Sequence, residues 1–141
     1  GCDIVTDTQM ARAGINKTIL TSLGGAVHCF MSDADVAETA KARGVTRALV
    51  SMEKAATLEK PCIFAIGNAP TALFSLQALM EAGRLQPALI IGVPVGFVNV
   101  VESKERIIAS ALAPYIVARG RKGGSNVAAA ICNAMLYQIK R

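Results

Sequence analysis

Residues 62–74, CIFAIGNAPTALF, join an apolar run to the start of an amphipathic helical pattern. The run over residues 62–66 is short and apolar at every position, as expected for a strand that is buried on both faces of a sheet. Gly67 and Asn68 allow a tight turn, and Pro70 suits the first turn of a helix. The stretch therefore predicts a strand-to-helix corner with free backbone N–H groups at the carboxyl end of a strand, where open α/β folds bind ligands.

Five short apolar runs alternate with helical patterns along the whole chain. The predicted strands cover residues 2–5, 26–30, 62–67, 88–93 and 115–118. The predicted helices cover residues 8–13, 16–23, 34–43, 46–59, 70–82, 99–110 and 125–139. No two-residue hairpin turn joins the strands, and their spacing fits crossover connections between parallel strands. We predict a three-layer α/β/α sandwich with a five-stranded parallel sheet, formed as a single domain by residues 1–141.

The composition favours a globular protein and argues against nucleic-acid binding. Apolar residues make up 52% of the 141 residues and aromatic residues only 4%, which suits buried strands under close-packed helices. A chain of this length buries roughly two thirds of its unfolded surface. The net charge is +5, but the basic residues are mostly scattered, and no aromatic residues interleave with them as single-strand binding requires.

The cysteines and the apolar runs indicate a cytoplasmic protein. The four cysteines form no CxxC pair and lie in apolar segments: Cys2, Cys29, Cys62 and Cys132. Free thiols are typical of a reducing compartment, and neither a disulfide framework nor a metal site is predicted. The longest apolar run, residues 88–101, is interrupted by Gly, Pro and Asn and is too short to span a bilayer.

Loops that follow parallel strands lie at the same edge of the sheet, and the composition of these loops favours a ligand site there. The loops in question are residues 6–9, 31–35, 67–71, 94–98 and 119–125. Three of them are rich in Gly, Pro, Asn and Ser, which favours close approach of the backbone to a ligand. Ordinary turn formation is the alternative interpretation for each loop taken alone, but together they favour a site.

Residues 120–125, GRKGGS, precede an apolar helix and have the composition of an anion-binding loop. Helix-terminal N–H groups, the Ser125 hydroxyl and the charges of Arg121 and Lys122 would converge there on carboxylates or phosphates. The sequence does not match the GxxxxGK[ST] phosphate-binding loop, and no GxGxxG follows a strand. Nucleotide use is therefore not indicated by any motif, although a flavodoxin-like binder of a phosphorylated ligand at residues 119–125 is an alternative.

Four isolated side chains are further candidates, each with a structural alternative. His28 is the only histidine and lies in a strand-like run, where a structural role is the alternative to general acid catalysis. Ser103 and Lys104 follow the fourth strand and either contact a ligand or belong to a solvated helix face. Arg47 either pairs with a substrate carboxylate or forms a surface salt bridge.

Four segments, in this order along the chain, resemble a known family. They are residues 67–74 (GNAPTALF), 92–98 (GVPVGFV), 102–104 (ESK) and 120–125 (GRKGGS). Together with weaker matches at Asp7, residues 10–14 and residues 46–47, they resemble the precorrin-8X methylmutase family of cobalamin biosynthesis over essentially the whole chain.

The resemblance implies a flavodoxin-like sheet, a homodimer and an isomerase that acts on a large tetrapyrrole. The implied reaction moves a methyl group from C11 to C12 of precorrin-8X or cobalt-precorrin-8 and gives hydrogenobyrinate or cobyrinate. It needs neither a nucleotide nor a redox cofactor. A non-catalytic tetrapyrrole-binding relative, or a fragment of an enzyme, is the alternative.

The residues and the resemblance together predict a substrate site but no catalytic residue. The candidate substrate-binding residues are Arg47, Gly67, Asn68, Pro70, Thr71, Gly96, Phe97, Ser103, Lys104, Arg121, Gly123, Gly124 and Ser125. The glycines would admit the macrocycle, and the cations, with Lys122, would meet its carboxylates. Family members carry a helical portion ahead of the first strand, with a histidine proposed as the general acid, and we expect this sequence to lack that portion. His28 does not match that histidine, so the catalytic role is not transferred to it.

Overall fold

The computed structural model describes residues 2–139 and consists of one parallel sheet with helices on both of its faces. The strands are β1 (Asp3–Thr6), β2 (Val27–His28), β3 (Cys62–Ile66), β4 (Leu89–Gly92) and β5 (Tyr115–Val117). The helices are α1 (Gln9–Gly14), α2 (Lys17–Ser22), α3 (Ala34–Arg43), α4 (Arg47–Ala55), α5 (Pro70–Glu81), α6 (Val100–Ser110) and α7 (Ser125–Ile139). The strand order is β2-β1-β3-β4-β5 and every pair is parallel, which confirms the predicted flavodoxin-like α/β fold.

Strand β3 lies at the centre of the sheet, and its alternating side chains enter two separate cores. Phe64 and Ile66 point to the face that α4, α5 and α6 cover. Ala65 points to the opposite face, where it packs with residues of α7 such as Cys132. Phe64, Ala65 and Ile66 are all completely buried, and burial of one large apolar side chain contributes roughly 1.5–3 kcal/mol. The near-continuous apolar sequence of β3 follows from this burial on both faces.

Two of the predicted elements are too long, whereas the bounds of the others differ from the observed ones by at most one residue. The second strand was expected over residues 26–30, but only Val27 and His28 pair with β1, because the chain then turns with Asp33 N–H donating to the Phe30 carbonyl. The fourth helix was expected to run to residue 59, but it ends at Ala55. Tighter turns replace it there, with Thr57 N–H donating to the carbonyl three residues earlier.

Local signals set several of the other helix ends. Gly44 ends α3 in the left-handed conformation, with φ 67°, as its position after the helical pattern predicts. The Thr8 and Asn16 side chains accept hydrogen bonds from backbone N–H groups at the starts of α1 and α2. No helix within residues 2–139 has the length and apolarity needed to cross a membrane.

Candidate functional site

The loops after β4 and β5 are joined by backbone hydrogen bonds at the carboxyl edge of the sheet. Gly124 N–H donates to the Val93 carbonyl at 2.8 Å, and Gly96 N–H donates to the Arg121 carbonyl at 3.1 Å. The chain from Val93 to Gly96 and the chain from Arg121 to Gly124 therefore lie side by side. Together these two segments form a hydrogen-bonded unit, here called the loop assembly, in which the position of each loop depends on the other.

The loops after β1 and β3 pack against the same assembly. The hydroxyl oxygens of Thr8 and Ser125 are 2.7 Å apart and share a hydrogen bond. A Cβ atom on Gly67 would lie 2.7 Å from Ser125 Cα and 2.8 Å from the Gly124 carbonyl carbon, which is too close for any side chain. Gly67 thus permits the β3–α5 corner to contact the β5–α7 loop directly.

Asp7 occupies the strand-to-helix corner after β3. Its carboxylate accepts hydrogen bonds from the backbone N–H groups of Gly67 and Asn68 at 2.8 Å each, and from Ala69 at 2.6 Å. The side chain is almost completely buried, and this burial raises the pKa of Asp7 while the three hydrogen bonds oppose the shift. The prediction of free N–H groups at this corner is wrong, because an internal carboxylate already binds them.

The sequence did not predict this role of Asp7, which was identified only as one of the weaker matches to the family. The signal was present, since an aspartate just past the end of β1 faces the neighbouring strand β3 in a parallel sheet. In the register of the two strands Thr6 pairs with Ala65, so Asp7 follows directly beside the end of β3. Recognising the contact required the strand order, because β1 and β3 are distant in sequence.

Close packing explains Gly123, and backbone conformation explains Gly124. A Cβ atom on Gly123, which has φ +157°, would lie 2.0 Å from the Val93 carbonyl oxygen. Gly124 has φ +128°, a conformation that strains any other residue. Both glycines are predicted to admit a ligand, and that stays a prediction, but loop packing at Gly123 and the positive φ of Gly124 already account for them.

The outer surface of the assembly combines apolar and cationic side chains. Phe97 and Val98 are 77% and 79% exposed at the tip of the β4–α6 loop. The guanidinium carbon of Arg121 lies 5.0 Å from the centre of the Phe97 ring, within the range of a cation–π contact. Lys122 is also exposed beside Arg121 in the sequence. A flat apolar ligand with anionic substituents matches this surface.

Ser103 and Lys104 lie beneath that surface rather than on it. Both are 0% exposed. The Ser103 hydroxyl donates to the Val100 carbonyl at 2.8 Å, and the Lys104 ammonium donates to the carbonyls of Gly120 and Lys122 at 2.8 and 2.9 Å. The alternative of a solvated helix face is therefore wrong for these two residues, and burial lowers the pKa of Lys104.

The structure brings some predicted site residues together and leaves others apart. The residues that meet in the loop assembly are Gly67, Gly96, Phe97, Lys104, Arg121, Gly123, Gly124 and Ser125. Asn68 is exposed beside the corner, and Pro70 is the first residue of α5. Arg47 lies in a separate groove of about 380 Å³ beside α3, and Thr71 lies in another of about 410 Å³ between α4 and α5. The substrate-binding roles of all these residues, and that of Ser103, stay predictions.

His28 lies away from this assembly and pairs with Asp3. Its Nε2 atom is 2.9 Å from Asp3 Oδ2, and Asp3 Oδ1 accepts a hydrogen bond from Ala26 N–H at 2.9 Å. The carboxylate thus joins β1 to the beginning of β2. This arrangement supports the structural interpretation of His28.

The cysteines are free, as the sequence predicts. Burial raises the pKa of the Cys62 thiol to about 11 and that of Cys132 to about 12, so neither is a reactive thiolate at neutral pH. Within residues 2–139 no three His, Cys, Asp or Glu side chains are grouped closely enough to hold a metal ion.

Comparison with known proteins shows that nearly the whole chain is similar to one family. A family model described as precorrin-8X methylmutase matches residues 1–138. The chain is 48% identical to the cobalt-precorrin-8 methylmutase of Salmonella typhimurium, with 99% of this chain and 64% of that protein covered. It is 47% identical to the cobalt-precorrin-8 methylmutase of Leptospira interrogans and 41% identical to the precorrin-8X methylmutase of Pseudomonas aeruginosa, in each case over 96% of this chain and 65% of the relative.

Solved structures agree with the sequence comparison. The precorrin-8x methyl mutase of Thermus thermophilus superposes with a TM-score of 0.84 at 35% identity, covering 97% of this chain and 66% of that one. A precorrin-8X methylmutase related protein gives a TM-score of 0.87 at 34% identity, covering 98% of this chain and 72% of that one. The chain spans 60–65% of the length of the most similar curated relatives.

Proposed function

The chain belongs to the precorrin-8X methylmutase family, and we therefore propose that it forms the substrate-binding part of an isomerase of cobalamin biosynthesis. The enzyme moves a methyl group from C11 to C12 of precorrin-8X or cobalt-precorrin-8 and gives hydrogenobyrinate or cobyrinate. The bond from the methyl carbon to C11 breaks as the bond to C12 forms. The reaction is an isomerisation and consumes no co-reactant.

Among the residues that the structure describes, the exposed contact of Arg121 with the ring of Phe97 is the observation that best supports this proposal. A tetrapyrrole presents a broad apolar ring system with carboxylates at its periphery. The phenyl ring and Val98 supply an apolar surface for the macrocycle, while Arg121 and Lys122 supply charge-assisted hydrogen bonds to carboxylates. The contact between guanidinium and ring also fixes Arg121 beside the apolar surface before a ligand arrives.

We assign these residues to binding and orientation and not to proton transfer. Protonation of a ring position promotes a methyl shift of this kind, and a pocket assists by stabilising the charge that develops. Asp7 is held by three N–H groups and His28 is paired with Asp3, so neither side chain is free at the loop assembly. Orientation of the macrocycle is the contribution that the described residues make.

Binding of hydrogenobyrinic acid tests the proposal. Titration of the natural protein should change the absorbance of the corrinoid in a saturable way. Arg121→Ala should weaken binding about tenfold, because it removes a charge-assisted hydrogen bond. Arg106→Ala is the matched control, since Arg106 is also exposed and also lies over an aromatic ring, that of Phe74, but on α6. A failure of the unmodified protein to bind, or an equal loss in both variants, would contradict the proposal.

A non-catalytic tetrapyrrole-binding protein is the second candidate function. It is favoured by the engagement of Asp7 and His28 in internal contacts, which leaves neither of them free to give a proton to a ligand at this edge. Such a protein would bind the substrate and the product of the isomerase and convert neither. Incubation of the natural protein with precorrin-8X, followed by the absorbance of the corrinoid, separates the two functions, because only the isomerase produces the spectrum of hydrogenobyrinate.

We further propose that the protein is a homodimer in the cytoplasm. The edge strand β5 leaves Tyr115 and Ile116 about 40% exposed, and a second copy seated there would bury both side chains. The four free cysteines fit a reducing compartment. Sedimentation of the natural protein should give twice the mass of one chain, and Ile116→Glu should halve it. A monomeric parent protein would contradict the proposed dimer. Recovery of the protein outside the cytoplasmic fraction would contradict the proposed cytoplasmic location.

A further inference from the structure

Lys104 is a buried cation that pairs with no carboxylate among the residues that the structure describes. Its ammonium group donates to two backbone carbonyls, those of Gly120 and Lys122, and the residue is 0% exposed. None of the ion pairs formed within residues 2–139 includes Lys104. The carboxylates nearest to it in the sequence are committed elsewhere, since Glu105 pairs with Arg119 and Glu102 pairs with Arg106. A buried charge held in this way needs its hydrogen bonds, so the ammonium and the loop depend on each other.

The two carbonyls that Lys104 binds lie on either side of Arg121. The same stretch contains glycines with positive φ, +89° at Gly120 and +157° at Gly123, so the backbone here has more freedom than in an ordinary loop. The backbone of Arg121 itself is held by the hydrogen bond that its carbonyl accepts from Gly96 N–H. Lys104 therefore adds a restraint on both sides of Arg121, in the part of the glycine-rich loop that precedes the hydrogen bond from Gly124 to Val93.

We propose that Lys104 is a positioning residue for the ligand, which acts through the backbone of the β5–α7 loop and not by contact with the ligand. It fixes the backbone on both sides of Arg121, so that the guanidinium lies over Phe97 and faces the bound carboxylates. This inference rests on the proposed tetrapyrrole-binding function. It differs from the sequence-based expectation for Lys104, which was direct contact with the substrate.

Cleavage by trypsin tests the position of the loop without any ligand, because Arg121 and Lys122 are themselves cleavage sites. Lys104→Met removes the charge and the donors but keeps the length of the side chain, and should speed cleavage at these two sites about tenfold. Lys17→Met is the matched control, since Lys17 also donates to a backbone carbonyl, that of Arg12 at 2.8 Å, but on α2. Unchanged cleavage at the loop in a folded Lys104→Met protein would overturn the proposal.

Two further variants keep this test decisive if Lys104→Met does not fold. Lys104→Gln retains two N–H donors on a neutral side chain, and Lys104→Arg retains both donors and charge. Slower cleavage in Lys104→Arg than in Lys104→Gln would show that the charged donor restrains the loop, as proposed. Equal cleavage in these two variants and in the parent protein would overturn the role.

A double-mutant cycle with Arg121→Ala tests whether Lys104 acts through Arg121. In the natural protein, Lys104→Met should raise the Kd for hydrogenobyrinic acid about tenfold. In the Arg121→Ala background the same change should raise the Kd by less than about twofold, because the side chain that Lys104 positions is gone. A tenfold effect in both backgrounds would overturn the proposal and indicate a separate contact with the ligand. If the unmodified protein binds no corrinoid, the proposed function fails while the cleavage experiment still decides the role of Lys104.

Discussion

At the level of single residues, Asp7 shows how one side chain fixes a corner of the fold. It connects the end of β1 to the start of α5 through three backbone N–H groups. Two of these groups, those of Gly67 and Asn68, belong to the turn after β3, and the third belongs to Ala69, the N-cap residue of α5. The carboxylate satisfies them and places a negative charge at the positive end of the helix dipole.

Asp7→Asn should therefore destabilise the protein strongly. The amide presents an NH2 group to backbone donors, removes the negative charge and leaves at least one buried N–H group without an acceptor. We expect a loss of about 3 kcal/mol in the free energy of unfolding, measured by urea denaturation. Glu38→Gln, at an exposed position of α3, is the control and should leave the urea midpoint close to that of the parent protein. Equal stability of Asp7→Asn and the parent would contradict this role.

Gly124 shows why a residue chosen from the sequence is not always a clean probe of a site. A Gly124→Val substitution is predicted from the sequence to weaken ligand binding by filling space. In the structure Gly124 has φ +128°, so valine would strain the backbone whether or not a ligand binds. The exposed Arg121 allows a sharper test, because its removal leaves the backbone of the loop unchanged.

At the level of secondary-structure elements, the short strand β2 depends on polar contacts with β1. Only Val27 and His28 pair with the neighbouring strand, so the sheet itself supplies few hydrogen bonds. Asp3 accepts a hydrogen bond from Ala26 N–H and pairs with His28. The Lys60 ammonium nitrogen lies 3.6 Å from Asp3 Oδ1. Burial alone would raise the pKa of Asp3, but the bonds from His28 and Ala26 and the charge of Lys60 outweigh it, so the pKa is lowered.

This shift predicts a pH-dependent role for Asp3. A carboxyl group with a lowered pKa in the folded state stabilises the protein above its unfolded pKa of about 3.9, and this stabilisation is lost as the pH falls through the folded value. Asp3→Asn should be about 1.5 kcal/mol less stable than the parent at pH 7. The difference should shrink below about pH 4, which urea denaturation at several pH values measures. A difference that stays constant down to pH 3 would contradict the role of the charge.

The sequence predicts an element well where one local signal dominates. Gly44 ends α3 and Pro70 begins α5 as expected, because a left-handed C-cap and a fixed proline φ depend on the residue itself. The ends of β2 and α4 depend instead on which neighbour offers a hydrogen bond, and no local pattern contains that information. The same distinction applies to the site. The loops were located correctly by composition, whereas Asp7 and Lys104 act across contacts that only the fold creates.

At the level of the whole molecule, both cores share the strands of one sheet. Within β3, Phe64 enters one core and Ala65 enters the other, so loss of either core removes support from the same strand. We therefore propose that residues 1–141 unfold as one domain, and expect the far-UV circular dichroism and the near-UV signal of the two tyrosines to change in a single coincident thermal transition. Two separated transitions would indicate independent units and contradict this expectation.

The position of Asp7 also has a consequence for the chemical selectivity of the protein. In many α/β proteins the helix that follows a central strand binds the phosphate groups of nucleotides with its free N–H groups. Here the N–H groups of the turn that leads into α5, those of Gly67, Asn68 and Ala69, are already bound to the Asp7 carboxylate, whose charge repels a second anion. These three N–H groups are therefore not available to a phosphorylated metabolite. In the function that we propose, anion recognition therefore falls to the side chains of the neighbouring loop, which would select a ligand by its shape and by the spacing of its carboxylates.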